Sequence, residues 1–191
     1  VEIVYDQAAR VKGRDRSVKS VVFPDGLTVG DIFEAAPGTD GDVRLAYRVQ
    51  GSRDWKYTDW NEVDGLRDFT HQFLLSNLNS NTRYDVDVES RSVAGTPGQS
   101  LDGTFRTAPA LSSSDRVVFT VSTGQGNDDQ DRADGFNIYP EMLQLDPNFF
   151  VHTGDIVYYD RLAKTLPLAR YHWQRMYSWP TNVEFHRNVA S

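Results

Sequence analysis

The chain has 191 residues, 39% of them hydrophobic, and a formal charge of −7 with no basic cluster. That balance argues against the phosphate-backbone attraction on which nucleic-acid binders depend, and no apolar run approaches the roughly eighteen residues of a membrane-spanning helix. Without cysteine, the chain can form neither disulfides nor thiolate metal sites, so any metal must be held by oxygen or imidazole ligands.

Length and composition fit one large or two small globular domains, and two is the expectation. The chain begins at Val1 with no apolar leader, so any export signal is expected to have been removed or to lie outside this sequence. Residues 1–16 are polar without a clear period and read as an extended lead-in or edge strand. Residues 17–108 read as an all-β unit, with short alternating runs at 21–23, 28–33, 43–49, 69–75, 84–89 and 103–107 separated by turn-rich pieces such as "PDG" and "NLNSNT". In "VRLAYRV" and "YDVDVES" apolar and charged residues alternate, the pattern of strands with one wet face. The spacing predicts a sandwich of about seven strands.

The segment "FLLSNLNSNTRYDVDV…GTFRTAP" resembles the fibronectin type III signature. Leu78, Thr82 and Tyr84 match its Leu-x-x-x-Thr-x-Tyr pattern, and Phe105 and Thr107 match its last strand. The resemblance gives Tyr84 a structural role, at a corner where its hydroxyl bonds back to backbone. Trp55, Tyr57 and Trp60 read either as core or edge packing or as a carbohydrate-stacking surface.

Residues 109–115, within "APALSSSD", form a Pro/Ser linker. Beyond it, 116–191 changes grammar. "RVVFTVSTG" is a nearly continuous apolar strand, as in a sheet covered on both faces. Ile138, Met142 and Leu145 have helical spacing within 135–147, and a second apolar strand follows at 148–152, so the expectation is a βαβ unit with a parallel sheet. Residues 162–177 fit a further helix that Pro167 should break or restart.

Ligands gather at the carboxyl ends of parallel strands, where neighbouring loops converge. The first strand opens into "STGQGNDDQDRADG", with Asp128, Asp129, Asp131 and Asp134, and the second into "GDIVYYD". Acidic loops on two such strands make a hard-metal site, or are simply solvated. "GQG" lacks the Gly-Lys-Ser/Thr ending of a P-loop. Taken alone, Gly154-Asp155 is either an ordinary turn or a ligand at a strand end. His71, His152, His172 and His186 read mainly as packed or surface residues, and no Gly-x-Ser-x-Gly elbow supports a Ser/His/Asp triad.

"NFFVHTGDIVYYD", one helix after the "FTVSTGQ" strand, resembles the alkaline phosphatase D (PhoD-like) family of the metallophosphoesterase superfamily. The resemblance implies a fibronectin-like N-terminal domain followed by an α/β sandwich of two mixed sheets. It also implies a Gly-Asp-x-x-Tyr motif in which Asp155 bridges two metal ions and Tyr158 binds ferric iron, calcium being the usual second metal. A carboxylate can bridge two cations, and a phenolate is a hard anionic ligand suited to ferric iron. The implied activity is phosphoric ester hydrolysis, as an alkaline phosphatase or phosphodiesterase attacking a phosphate-ester substrate with a metal-bound hydroxide. Family members are usually exported, so a periplasmic or secreted location is the matching expectation.

The sequence departs from the family at two places. Gly124 stands where a cysteine ligand is common, which leaves Gln125, Asn127 and Asp128 as candidate metal or substrate contacts. Ser191 precedes the family's downstream His- and Asp-bearing motifs, so 116–191 is expected to be an incomplete catalytic domain, inactive alone, whose remainder is in another chain, cleaved or absent. The alternative is a non-enzymatic adhesion or glycan-binding sandwich with an inert truncated second domain, and a sulfate ester is an alternative substrate.

Overall fold

The computed structural model describes residues 2–5, 18–22, 39–158 and 166–190. They fall into two compact units: one holds residues 2–5, 18–22, 124–129, 155–158 and 166–178, and the other residues 39–123, 130–154 and 179–190. In the first unit β1 (Glu2–Tyr5) pairs antiparallel with β2 (Val18–Val22), Glu2 opposite Val22.

The second unit is built on an antiparallel sheet of β3 (Gly41–Val49), β4 (Lys56–Tyr57), β5 (Asn61–Val63), β6 (Arg83–Ser92) and β7 (Pro97–Arg106), in the order β4-β3-β6-β7 with β5 also on β3. Alternation explains its two faces. Asp42, Arg44 and Arg48 share a face with Asp85, Glu89 and Arg91 through the register Asp42↔Arg91, Arg44↔Glu89 and Arg48↔Asp85. Leu45 and Tyr84, both buried, point the other way, and Tyr84 stacks on Phe105 with ring centroids 5.3 Å apart. The Tyr84 hydroxyl accepts the Asn79 backbone N–H at 2.9 Å, so the buried ring leaves no polar atom stranded.

Two sequence expectations need correction. The alternating run 69–75 forms no strand: Asp64 caps a 3-10 turn at Gly65–Arg67 by accepting from the Leu66 and Arg67 amides, and Asp68 and Phe69 follow with φ of 55°. Left-handed backbone at two consecutive residues breaks the extended path, and Leu74 is left 93% exposed instead of facing a core. Conversely, β4 and β5 arise where no strand was expected, each too short to show a period. The run 28–33 lies outside the described residues.

Further along the chain, β8 (Phe119–Ser122) pairs parallel with β9 (Phe149–His152), from Phe119↔Phe149 to Ser122↔His152, with α1 (Ile138–Gln144) between them in sequence. Asn148 fastens the strand start twice, donating its amide to the Val118 carbonyl at 2.7 Å and accepting the Val118 amide on its side chain at 2.8 Å. Helices α2 (Leu166–Tyr177) and α3 (Pro180–His186) follow. Pro167 falls in the first turn of α2 as described from Leu166, where its missing N–H is harmless, and residues 162–165 of the expected helix lie outside the described residues. After α3, Ala190 bridges in parallel to Phe149 on the edge of β9 away from β8.

The core of this α/β part is aromatic. Tyr139, Phe150 and Phe185 are buried, with Phe185 centred 5.1 Å from Tyr139 and 5.2 Å from Phe150. It is tied to the antiparallel sheet through Arg187, whose carbonyl accepts the Thr104 amide of β7 at 2.7 Å and whose guanidinium meets Asp102 at 3.1 Å. Gly103 is required there, because a Cβ would run into the Arg187 carbonyl.

Candidate functional site

Parallel pairing in register delivers the ends of β8 and β9 side by side, and the same dipeptide follows the last residue of each: Thr123-Gly124 and Thr153-Gly154. Both glycines have positive φ, 68° and 122°, with nothing within 4 Å of where a Cβ would stand. Backbone conformation, not space, calls for glycine at both. At Gly124 a side chain would be strained by the backbone angle although there is room for it. Asp155 continues the turn with φ of 58°, a region aspartate tolerates better than most residues.

Contacts of backbone and side chains fix this turn. The Thr153 amide donates to the Ser122 carbonyl at 3.0 Å. The Thr123 hydroxyl donates to the Gly154 carbonyl at 3.3 Å, while the Gly154 amide donates to His152 Nδ1 at 3.3 Å. Finally, the Gln125 amide donates to the Asp155 carbonyl at 2.8 Å. Gln125 and Asp155 are thus brought together through backbone, and the Asp155 carboxylate remains exposed. Asn127 and Asp128 lie in a 3-10 turn, Asn127–Asp129, closed by the Asp129 amide on the Gly126 carbonyl at 3.0 Å. Tyr158 is 44% exposed.

The other loop aspartates serve the loop itself. Asp131 accepts the Asn137 amide at 2.8 Å and the Asn137 side chain at 3.0 Å, and that backbone bond holds its carboxyl below the usual carboxylate range. Asp134 pairs with Arg132 at 2.7 Å and is lowered mainly by that hydrogen bond. Both carboxylates are thus engaged by groups of their own loop.

An aspartate and a tyrosine are hard oxygen donors of the kind di- and trivalent cations take. Among the described residues no group of three or more His, Cys, Asp or Glu is placed to hold a metal ion. The histidines do not complete one. His172 is buried in α2 beside Tyr171, and His71 lies edge-on to Phe73. His186 sits against Tyr139 and Phe150, its pKa pushed down to about 4 by burial and then by the neighbouring charge of His152. A pocket of about 350 Å³, lined by Arg132, Asp134, Tyr139, Leu143, Glu184 and Phe185 among others, includes Asp134 of the acidic loop but not Gln125, Asn127, Asp128, Asp155 or Tyr158.

Guanidinium groups stack on the rings considered as a sugar platform, of which Tyr57 stays 52% exposed. Arg48 lies 4.4 Å over Trp55, Arg44 lies 4.6 Å over both Tyr57 and Trp60, and Arg91 lies 4.3 Å over Trp60. Sequence inspection missed Thr123 as a partner of the turn, and the readable signal was the repeated Thr-Gly after two apolar strands.

An antiparallel sheet, a parallel strand pair with polar strand-end loops and few helices describe a mostly β-sheet fold. No family model matches the chain, and no curated protein matches it. Among solved structures the chain is similar to PhoD, with a TM-score of 0.64 and 15% identity over 87% of this chain and 33% of that one. At this identity the likeness is one of fold, and the chain spans about a third of the PhoD chain. Among the described residues no helix is long and apolar enough to cross a membrane.

Proposed function

We propose that the chain carries part of a metal-dependent phosphoric ester hydrolase, an alkaline phosphatase or phosphodiesterase, with Asp155 and Tyr158 as two of its metal ligands. The observation that carries this reading is the placing of the Gln125 and Asp155 loops against each other at the ends of adjacent parallel strands, in a PhoD-like fold. Gln125, Asn127 and Asp128 belong to the same proposal as contacts to substrate or metal. So does the division into a lead-in at 1–16, a fibronectin-like β-sandwich at 17–108, a linker at 109–115 and an incomplete catalytic domain at 116–191. Iron and calcium are the cations the resemblance favours, and periplasmic or secreted export accompanies the reading.

The two donors are a partial set, and the remaining ligands are proposed to come from the part of a PhoD-like fold that this chain, spanning about a third of PhoD, does not cover. Hard cations, when bound, supply charge that lowers the pKa of water and offsets the negative charge of a phosphoryl group. The chain's own contribution is to aim an exposed carboxylate from a fixed turn and to hold the neighbouring loop against it.

The test is elemental analysis of the intact protein, with turnover on phosphate monoesters, phosphate diesters and sulfate esters. Bound metal and phosphate-ester hydrolysis are expected, with Asp155→Asn losing on the order of 100-fold or more in rate. Full activity in that variant would remove Asp155 from the mechanism, and preferred turnover of sulfate esters would change the substrate class.

A further inference from the structure

We propose that Thr123 and His152 are positioning residues that clamp Gly154 and thereby fix the direction in which Asp155 is presented. This inference rests on the reading of Asp155 as a metal ligand. Gly154 has one backbone donor and one backbone acceptor, and two side chains take both: His152 Nδ1 accepts its N–H at 3.3 Å and the Thr123 hydroxyl donates to its carbonyl at 3.3 Å.

The two clamping groups come from different strands. His152 is the last residue of β9, and Thr123 directly follows β8, level with Thr153 by the register Ser122↔His152. The clamp therefore registers one strand end on the other at the glycine next to the candidate ligand. Gly154 and Asp155 both have positive φ, at 122° and 58°, angles that glycine takes freely and aspartate tolerates. A glycine in a turn has many conformations open to it, and the side chains of Thr123 and His152 select one. Groups that orient a ligand characteristically matter 10- to 100-fold, roughly, in metal affinity without touching the metal.

His152 offers an acceptor at Nδ1, which an asparagine side-chain oxygen can imitate and a leucine cannot. Thr123 offers a hydroxyl, which serine keeps and valine loses at nearly constant shape. The experiment compares Thr123→Val, Thr123→Ser, His152→Leu, His152→Asn and Asp155→Asn in the intact protein, reading metal affinity and hydrogen exchange at the Gly154 amide. The Phe150 amide, bonded to the Ala190 carbonyl at 2.7 Å, reports opening of β9 as a whole.

The expected result is a loss of roughly tenfold or more in metal affinity for Thr123→Val and His152→Leu, largely restored in Thr123→Ser and His152→Asn. Gly154 exchange should accelerate about tenfold in His152→Leu while Phe150 stays protected. Wild-type metal affinity and Gly154 exchange in Thr123→Val and His152→Leu would overturn the proposal, as would equal acceleration at Phe150. If Asp155→Asn binds metal as the wild type does, the functional reading falls, while Gly154 exchange still decides whether the clamp exists.

Discussion

The antiparallel sheet and the parallel strand pair handle their open faces in opposite ways. On β3 and β6 the polar face carries ion pairs between residues directly opposite in register: Arg44 with Glu89 at 2.6 Å, Arg48 with Asp85 at 2.9 Å and Arg91 with Asp42 at 2.8 Å. On β8 and β9 one face is buried through Thr120 and Phe150, but the other leaves Phe119 56%, Val121 50%, Phe149 37% and Val151 39% exposed. Phe119 and Phe149 shield each other by stacking at 5.2 Å. Antiparallel strands can face water because their connections leave one side bare and their sequence alternates to suit, whereas parallel strands are written as continuous apolar runs that expect cover on both sides. The same length of strand therefore holds very different stabilisation on its two faces, and neighbouring residues of β9 can expose that difference.

The largest effect should come from Phe150, packed against Tyr139, Phe185 and His186 and 3% exposed. Phe150→Ala is expected to cost about 3–5 kcal/mol, combining lost transfer energy with an unfilled cavity. Val151→Ala, one residue away on the half-exposed face, should cost less than about 1 kcal/mol. Urea unfolding of both variants checks the contrast. Similar losses would mean that the open face is covered in solution.

A smaller effect should appear with pH, again on the covered face. His186 titrates at about 4 when folded, below its ordinary 6.5, because burial and the charge of His152 disfavour its protonated form. The unfolded chain therefore binds the proton more readily, so the contribution is fully present above pH 6.5 and is lost as pH falls towards 4. His186 is partly exposed, and after allowance for solvent screening the loss should be roughly 1–2 kcal/mol. The His186→Phe variant should show a shallower decline across that window. An unchanged slope would place the pH sensitivity elsewhere.

The legible parts of the fold were those whose pattern is local. β3, β6 and β7 follow from alternation, and β8, α1 and β9 follow from two apolar runs flanking helically spaced Ile138 and Met142. The run 69–75 alternates equally well but lacks a strand, because Asp68 and Phe69 turn left-handed after the Asp64 cap. Nothing in an alternation count registers a cap. At the candidate site, adjacency of the Gln125 and Asp155 loops follows from parallel pairing, whereas the metal roles of Asp155 and Tyr158 were readable only through resemblance. Asp131 and Asp134 were equally plausible on composition, and only their partners Asn137 and Arg132 show that the loop uses them for itself. The contact of Thr123 with Gly154 was hidden because its acceptor is a backbone carbonyl from another strand.

The finest test of the comparison lies in the wet face, where the ion pairs are half-exposed and each is worth little by itself. What distinguishes this face is that the guanidinium groups also stack: Trp60 lies between Arg44 at 4.6 Å and Arg91 at 4.3 Å, and Arg44 reaches on to Tyr57. Stacking of this kind contributes about 0.5–1 kcal/mol at exposed sites. It also occupies ring faces that a sugar would need, so the aromatic residues favour sheet stability over ligand display. A double-mutant cycle on Arg91→Met and Trp60→Leu should therefore give a coupling of about 0.5–1 kcal/mol, above the roughly 0.3–0.5 kcal/mol within which independent sites add. Strict additivity would reduce the ladder to solvated decoration. A clear coupling would show that an antiparallel sheet can stabilise its water-facing side with charged residues, where the parallel pair has only a stacked Phe119 and Phe149.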